Sequence, residues 1–173
     1  RDGGCQLEVG PNDVLMLEGI HGLNPRLLSS IDPDSVFRVF IHPATALPLN
    51  RLTPVSTADL RLMRRIVRDR HHRGYSAADT IERWPSVRRG ERRHIFPYLL
   101  KADVVFDSSL AYELGVLKVY ADQYLLEVPP DHPAFATAFR LRTLLDRYVT
   151  IYPDHVPPTS IVREFIGGSG FEY

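Results

Sequence analysis

The chain has 173 residues, 44% hydrophobic and 24% charged, and its 21 lysines and arginines balance its 21 aspartates and glutamates to a formal net charge of zero. That is enough chain for one domain with its own core, and the apolar runs are far too short to cross a bilayer. The polar opening RDGGCQ lacks the form of a signal peptide, so a cytosolic protein is expected; the single cysteine, Cys5, excludes an internal disulfide and is given no role.

In chain order, residues 13–19 (DVLMLEG) form a continuous apolar run ending in a carboxylate and a glycine, the pattern of a parallel strand buried on both faces. Asn24 and Pro25 then read as the N-cap and first position of a helix. A second strand is expected over 36–41, stopped by Pro43. Ser56 or Thr57 caps a helix over about 58–72, and Ser76 starts another that Pro85 breaks after Trp84. Residues 88–101 read as partly helical around Pro97, and 103–107 as a third strand. Helical spacing marks 110–126 and about 133–148, with Pro129 and Pro130 between them. A short helix over 160–166 precedes a flexible glycine-rich end at 167–170. Strands alternating with helices indicate an α/β parallel sheet with flanking helices.

Charge is uneven along this order. Residues 61–93 carry eleven of the nineteen arginines and only Asp69, Asp79, Glu82 and Glu91 as acids, so the segment is +7 and the remainder −7. A local basic patch on a neutral protein points to one anionic ligand more than to nucleic acid, which usually makes a whole domain basic. At 100° per residue Arg61, Arg65, Arg68 and His72 share one helix face, while Leu62, Met63, Ile66 and Val67 collect opposite, with Leu60 at the margin. Arginine forks grip phosphate oxygens bidentately, and an anion would relieve their mutual repulsion. The competing reading is a solvated face with salt bridges to Asp69 and its neighbours. His71 and His72 point about 100° apart and make no metal pair; loop packing suits His21, and a core anchor suits Trp84.

The strings LEGIHGLNP (17–25), STADLRLMRRIVRD (56–69), RGYS (73–76), WPSVRRGE (84–91), IFP (95–97), ADV (102–104) and SIVREFIGGS (160–169) together resemble the uridine kinase and phosphoribulokinase family of P-loop kinases. They look closest to its bacterial nucleoside-kinase branch that carries an N-terminal TGS domain. The resemblance implies ATP and Mg²⁺ as cofactors and a nucleoside or similar polyol as acceptor. It implies that Glu18, ending a Walker B strand, helps hold Mg²⁺ directly or through water. It further implies that 58–93 form a lid in which Arg65 lies near the acceptor or its transferred phosphate, while Arg68 and Arg73 reach the ATP phosphates. Asp69 would orient a neighbouring arginine, and Arg73 before Gly74 suits a lid edge that bends. Tyr75 stands where several relatives carry another arginine, Arg83 where some carry a substrate-contacting glutamine, and residues 50–55 look unlike the branch's usual loop, which puts uridine as the acceptor in doubt.

The chain contains no G-x-x-x-x-G-K-[ST]. In the family that loop precedes the Glu-Gly strand, so 1–173 is expected to be the carboxyl-terminal part of a single P-loop kinase domain, with a helical extension over about 131–173. The N-terminal P-loop half would then be a missing partner, and this chain alone would be inactive. Two other readings stay open: a regulatory, anion-binding domain without catalysis, and a nucleic-acid-binding module, against which the scarcity of lysine argues. A homo-oligomer also stays open.

Overall fold

Ser56 supplies the side-chain oxygen that accepts from the Asp59 amide, and from that cap α1 runs over Thr57–Arg73. The computed structural model describes residues 8–44 and 55–171; Cys5 and positions 50–54 of the atypical loop lie outside them. Leu60, Leu62, Met63, Ile66 and Val67 of α1 are each at most 1% exposed, because the helix packs on three others. These are α2 (Ala77–His94), α3 (Glu113–Leu126) and the short α5 (Arg163–Ile166). α4 (Phe135–Leu145) lies against α3 and α2. Leu114, Leu117, Leu125, Leu141 and Leu145 fill the core between them. Burying a leucine of this kind is worth about 1.5–3 kcal/mol, so the hydrophobic stabilisation is concentrated in the helices.

The sheet is small. β1 (Val39–His42) and β2 (Val104–Asp107) pair in parallel, Val39 opposite Val104 and His42 opposite Asp107. The architecture is therefore α/β, with flanking helices on a two-stranded parallel sheet where three strands were expected. Residues 13–19 do not form the first of them. A strand exists only by pairing, β1 and β2 pair with each other, and among the described residues no segment offers 13–19 a ladder. Val14 and Met16 are accordingly 92% and 87% exposed. Asn24 does not start a helix either: its Oδ1 accepts from the Arg26 amide at 3.1 Å, and the chain continues in turns.

Other expectations are shifted. β1 starts three residues later than expected, after Arg38 donates its amide to the Asp103 carboxylate at 2.6 Å. Pro85 does not break α2. It removes only the one backbone donor that would serve the Ile81 carbonyl, and a complete capping box between Ser76 and Asp79 secures the helix start. A 3-10 segment, Phe96–Lys101, follows and leads to β2. Ile161 and Val162 remain in turns, so the last helix is only four residues long. Among the described residues no helix is long and apolar enough to cross a membrane.

Candidate functional site

Four residues of α1 converge because of helical spacing. Arg65 and Arg73 stand one turn before and after Asp69, and Arg68 stands beside it. The Asp69 carboxylate is only 2% exposed, and it takes Arg65 Nε at 3.1 Å, Arg68 Nη2 at 3.3 Å and Arg73 Nη1 at 3.0 Å. The three arginine side chains are 25%, 29% and 48% exposed, so each keeps an open side. Three cations on one carboxylate leave two positive charges at the mouth of the site.

The donors are not used up. Nε of Arg65 and Nε of Arg68 are buried and make no hydrogen bond, and the Arg65 Nε contact with Asp69 is close enough for ion pairing but poorly directed. A buried, unpaired N–H costs about 1–3 kcal/mol, so these two Nε groups are a local cost of the cluster. An oxyanion would meet the solvent-facing sides of the three arginines.

The backbone of Asp69 fixes the neighbouring corner. Its carbonyl accepts from both Gly74 N and Tyr75 N, Gly74 adopting φ 68°, a left-handed conformation that suits glycine. Ser76 N donates to the Asp79 carboxylate at 3.0 Å. All three amides of the α1–α2 turn are thus engaged. Gly74 is the C-cap of α1.

The remaining basic residues of α1 have other tasks. Arg61 forms a double hydrogen bond with both oxygens of the buried Glu91 on α2, one of them Nη1 to Oε2 at 2.7 Å, and its guanidinium lies 5.6 Å from the Trp84 ring. Arg61 therefore leaves the expected cationic face and joins α1 to α2. Arg64, which sequence reasoning passed over, is buried. Its Nε and Nη2 reach Glu113 at 2.6 and 3.0 Å, and its Nη1 and Nη2 reach Ser108 Oγ and O at 3.1 and 2.6 Å. A signal for it existed: at 100° per residue Arg64 lies about 40° from Leu60, on the apolar side. A cation there requires a buried acid.

His71 places Nε2 2.8 Å from the Tyr124 hydroxyl and sets its ring edge-on to Tyr120 at 4.8 Å. Burial, then the charge of His72, lowers its pKa below the ordinary value. His42 ends β1; burial foremost, then Arg61, holds its pKa down as well.

Glu18 is not brought to the arginines by any strand. It lies exposed in the irregular segment 13–19. Among the described residues no group of three or more His, Cys, Asp or Glu side chains gathers that could hold a metal ion. The donor set described here fits an oxyanion such as a nucleotide phosphate; it does not supply the hard-oxygen cage of a divalent cation.

A family model described as phosphoribulokinase / uridine kinase family matches residues 6–113, which include both strands, α1 and α2. No curated protein and no solved structure matches the chain.

Proposed function

The chain belongs to the phosphoribulokinase/uridine kinase family, and from that premise we propose that it carries the lid arginines of an ATP-dependent phosphotransferase with a nucleoside-like alcohol as acceptor. The observation that carries the proposal is the gathering of Arg65, Arg68 and Arg73 on one buried carboxylate, each side chain keeping a solvent-facing side.

In this reading Arg68 and Arg73 bind the ATP phosphates, and Arg65 lies nearest the acceptor or the phosphoryl group it receives. Phosphoryl transfer spreads negative charge over equatorial oxygens, and guanidinium groups already held in place stabilise it without reorganising. Asp69 is the positioning residue. It lowers repulsion among the three arginines and aims them, while its burial keeps it from competing as a ligand or acting as a base. Mg²⁺, when bound, neutralises phosphate charge; Glu18 is the proposed carboxylate for it, although its exposed position provides no preformed cage.

The sequence contains no G-x-x-x-x-G-K-[ST]. The proposal therefore assigns the phosphate cradle to residues outside these 173, in a nucleoside kinase of the TGS-associated bacterial branch working in the cytosol, and expects no turnover from this chain alone. A coupled ADP-release assay of the 173-residue chain with Mg-ATP and uridine tests the second part, and robust turnover would overturn it. Calorimetric titration with inorganic tripolyphosphate tests the site. Binding should weaken at least tenfold in Arg68→Ala, the scale of losing a hydrogen bond to a charged group. Equal affinity in the variant would remove the phosphate role.

A further inference from the structure

Arg83 projects from α2 at the corner where α1 ends, fully exposed to solvent, and its Cζ lies 4.2 Å from the centre of the Tyr75 ring. Tyr75 is itself tied to the anion site, because its amide donates to the Asp69 carbonyl at 3.2 Å. Among the described residues no carboxylate forms a salt bridge with Arg83. Asp79, one turn earlier, gives its Oδ2 to the Ser76 amide and hydroxyl, and Asp69 is already shared by three arginines. A guanidinium without a carboxylate partner thus lies over an aromatic ring whose own amide is bonded to Asp69, the residue that gathers the cluster. An ordinary solvated arginine would spread over many rotamers away from such a cluster; stacking restricts this one.

We infer that Arg83, set by the Tyr75 ring, is a further anion-contacting residue that extends the Asp69 cluster into a site for a chain of linked phosphoryl groups. A single phosphate meets the solvent-facing sides of Arg65, Arg68 and Arg73. A second or third phosphoryl group, reaching along the α1–α2 corner past Arg73, meets Arg83. Tyr75 acts through Arg83 as a positioning residue. Tyr75 foremost, with Asp79 and Asp69 behind it, also favours the charged form of Arg83. The inference rests on the anion-site reading proposed above.

Calorimetry on the 173-residue chain separates the two. Tripolyphosphate and orthophosphate are titrated into wild type, Arg83→Gln, Tyr75→Leu, Tyr75→Phe and Arg68→Ala, and each thermal midpoint is recorded without ligand. Arg83→Gln is expected to weaken tripolyphosphate about fivefold, a partly screened surface contact, with orthophosphate affinity and the ligand-free midpoint unchanged. Tyr75→Leu should weaken tripolyphosphate severalfold, Tyr75→Phe should restore it, and Tyr75→Leu should add nothing in the Arg83→Gln background. If Arg68→Ala weakens tripolyphosphate while Arg83→Gln does not, the Arg83 inference is overturned and the anion site stands. If neither variant changes binding, or wild type does not bind, both readings fall.

Discussion

The most demanding test of the fold's energetics is the Arg64–Glu113 pair. The side chains are 8% and 0% exposed, and Glu113 Oε1 also accepts from the Leu110 amide at 2.9 Å. Glu113→Leu leaves a buried guanidinium with Ser108 as its remaining hydrogen-bond partner and no acid, and breaking a buried pair in this way costs about 3–5 kcal/mol. Because domains of this size are stable by only about 5–15 kcal/mol, that single change removes a large share of the total. Replacing both partners, as Arg64→Met with Glu113→Leu, removes the two desolvated charges together. It still strands the Ser108 carbonyl and the Leu110 amide, at about 1–3 kcal/mol each, but each is already stranded in one of the single variants, so the double variant should lose less than the sum of the two single losses. Urea unfolding, followed by circular dichroism and by the fluorescence of Trp84, the only tryptophan, closes the cycle. A double variant whose loss equals the sum of the two single losses, at constant m-value, would refute the reasoning.

Two more tests follow from local geometry. His42 and His71 both have pKa values below the ordinary histidine value, burial being the first cause of each. The unfolded chain therefore binds more protons, so stability is intact above about pH 6.5 and falls as the pH drops from there toward the depressed values. Thermal midpoints between pH 8 and pH 5 should show that fall, less steeply in His71→Gln; equal slopes would show that His71 carries none of it. A Cβ on Gly115 would lie 2.6 Å from the Val149 carbonyl oxygen and 3.1 Å from the Ile151 side chain, while Gly115 O accepts from Ile151 N at 3.0 Å. Gly115→Ala should cost about 1–3 kcal/mol by thermal or urea unfolding, and an unchanged midpoint would show that the 149–151 segment yields freely.

Features written into neighbouring residues were legible in the sequence. Ser56 and Ser76 mark the starts of α1 and α2 because capping is a contact across three residues. Arg65 and Arg73 meet on Asp69 because each stands one helix turn from it, and Arg68 because it stands beside it. Features that depend on distant partners were less so. An apolar run such as 13–19 suits a strand only where another strand is there to receive it, and composition does not say whether one is. Arg64 and Glu113 are 49 residues apart, so their meeting follows from how α1 packs on α3. Pro85 lies between these cases: its local effect is real, but the packing and capping of α2 outweigh one lost hydrogen bond.

α1 and α2 form a hairpin closed at both ends. At the corner every turn amide is engaged, and at the open end Arg61 grips Glu91. Such a loop has the mechanics of a braced frame: neither arm can swing without breaking a corner or the brace. α1 is also buried against α3 and α5, so the arginines it carries are fixed to the core and a ligand must come to them. Probes fixed near Glu91 and near Gly74 would then report one rigid body.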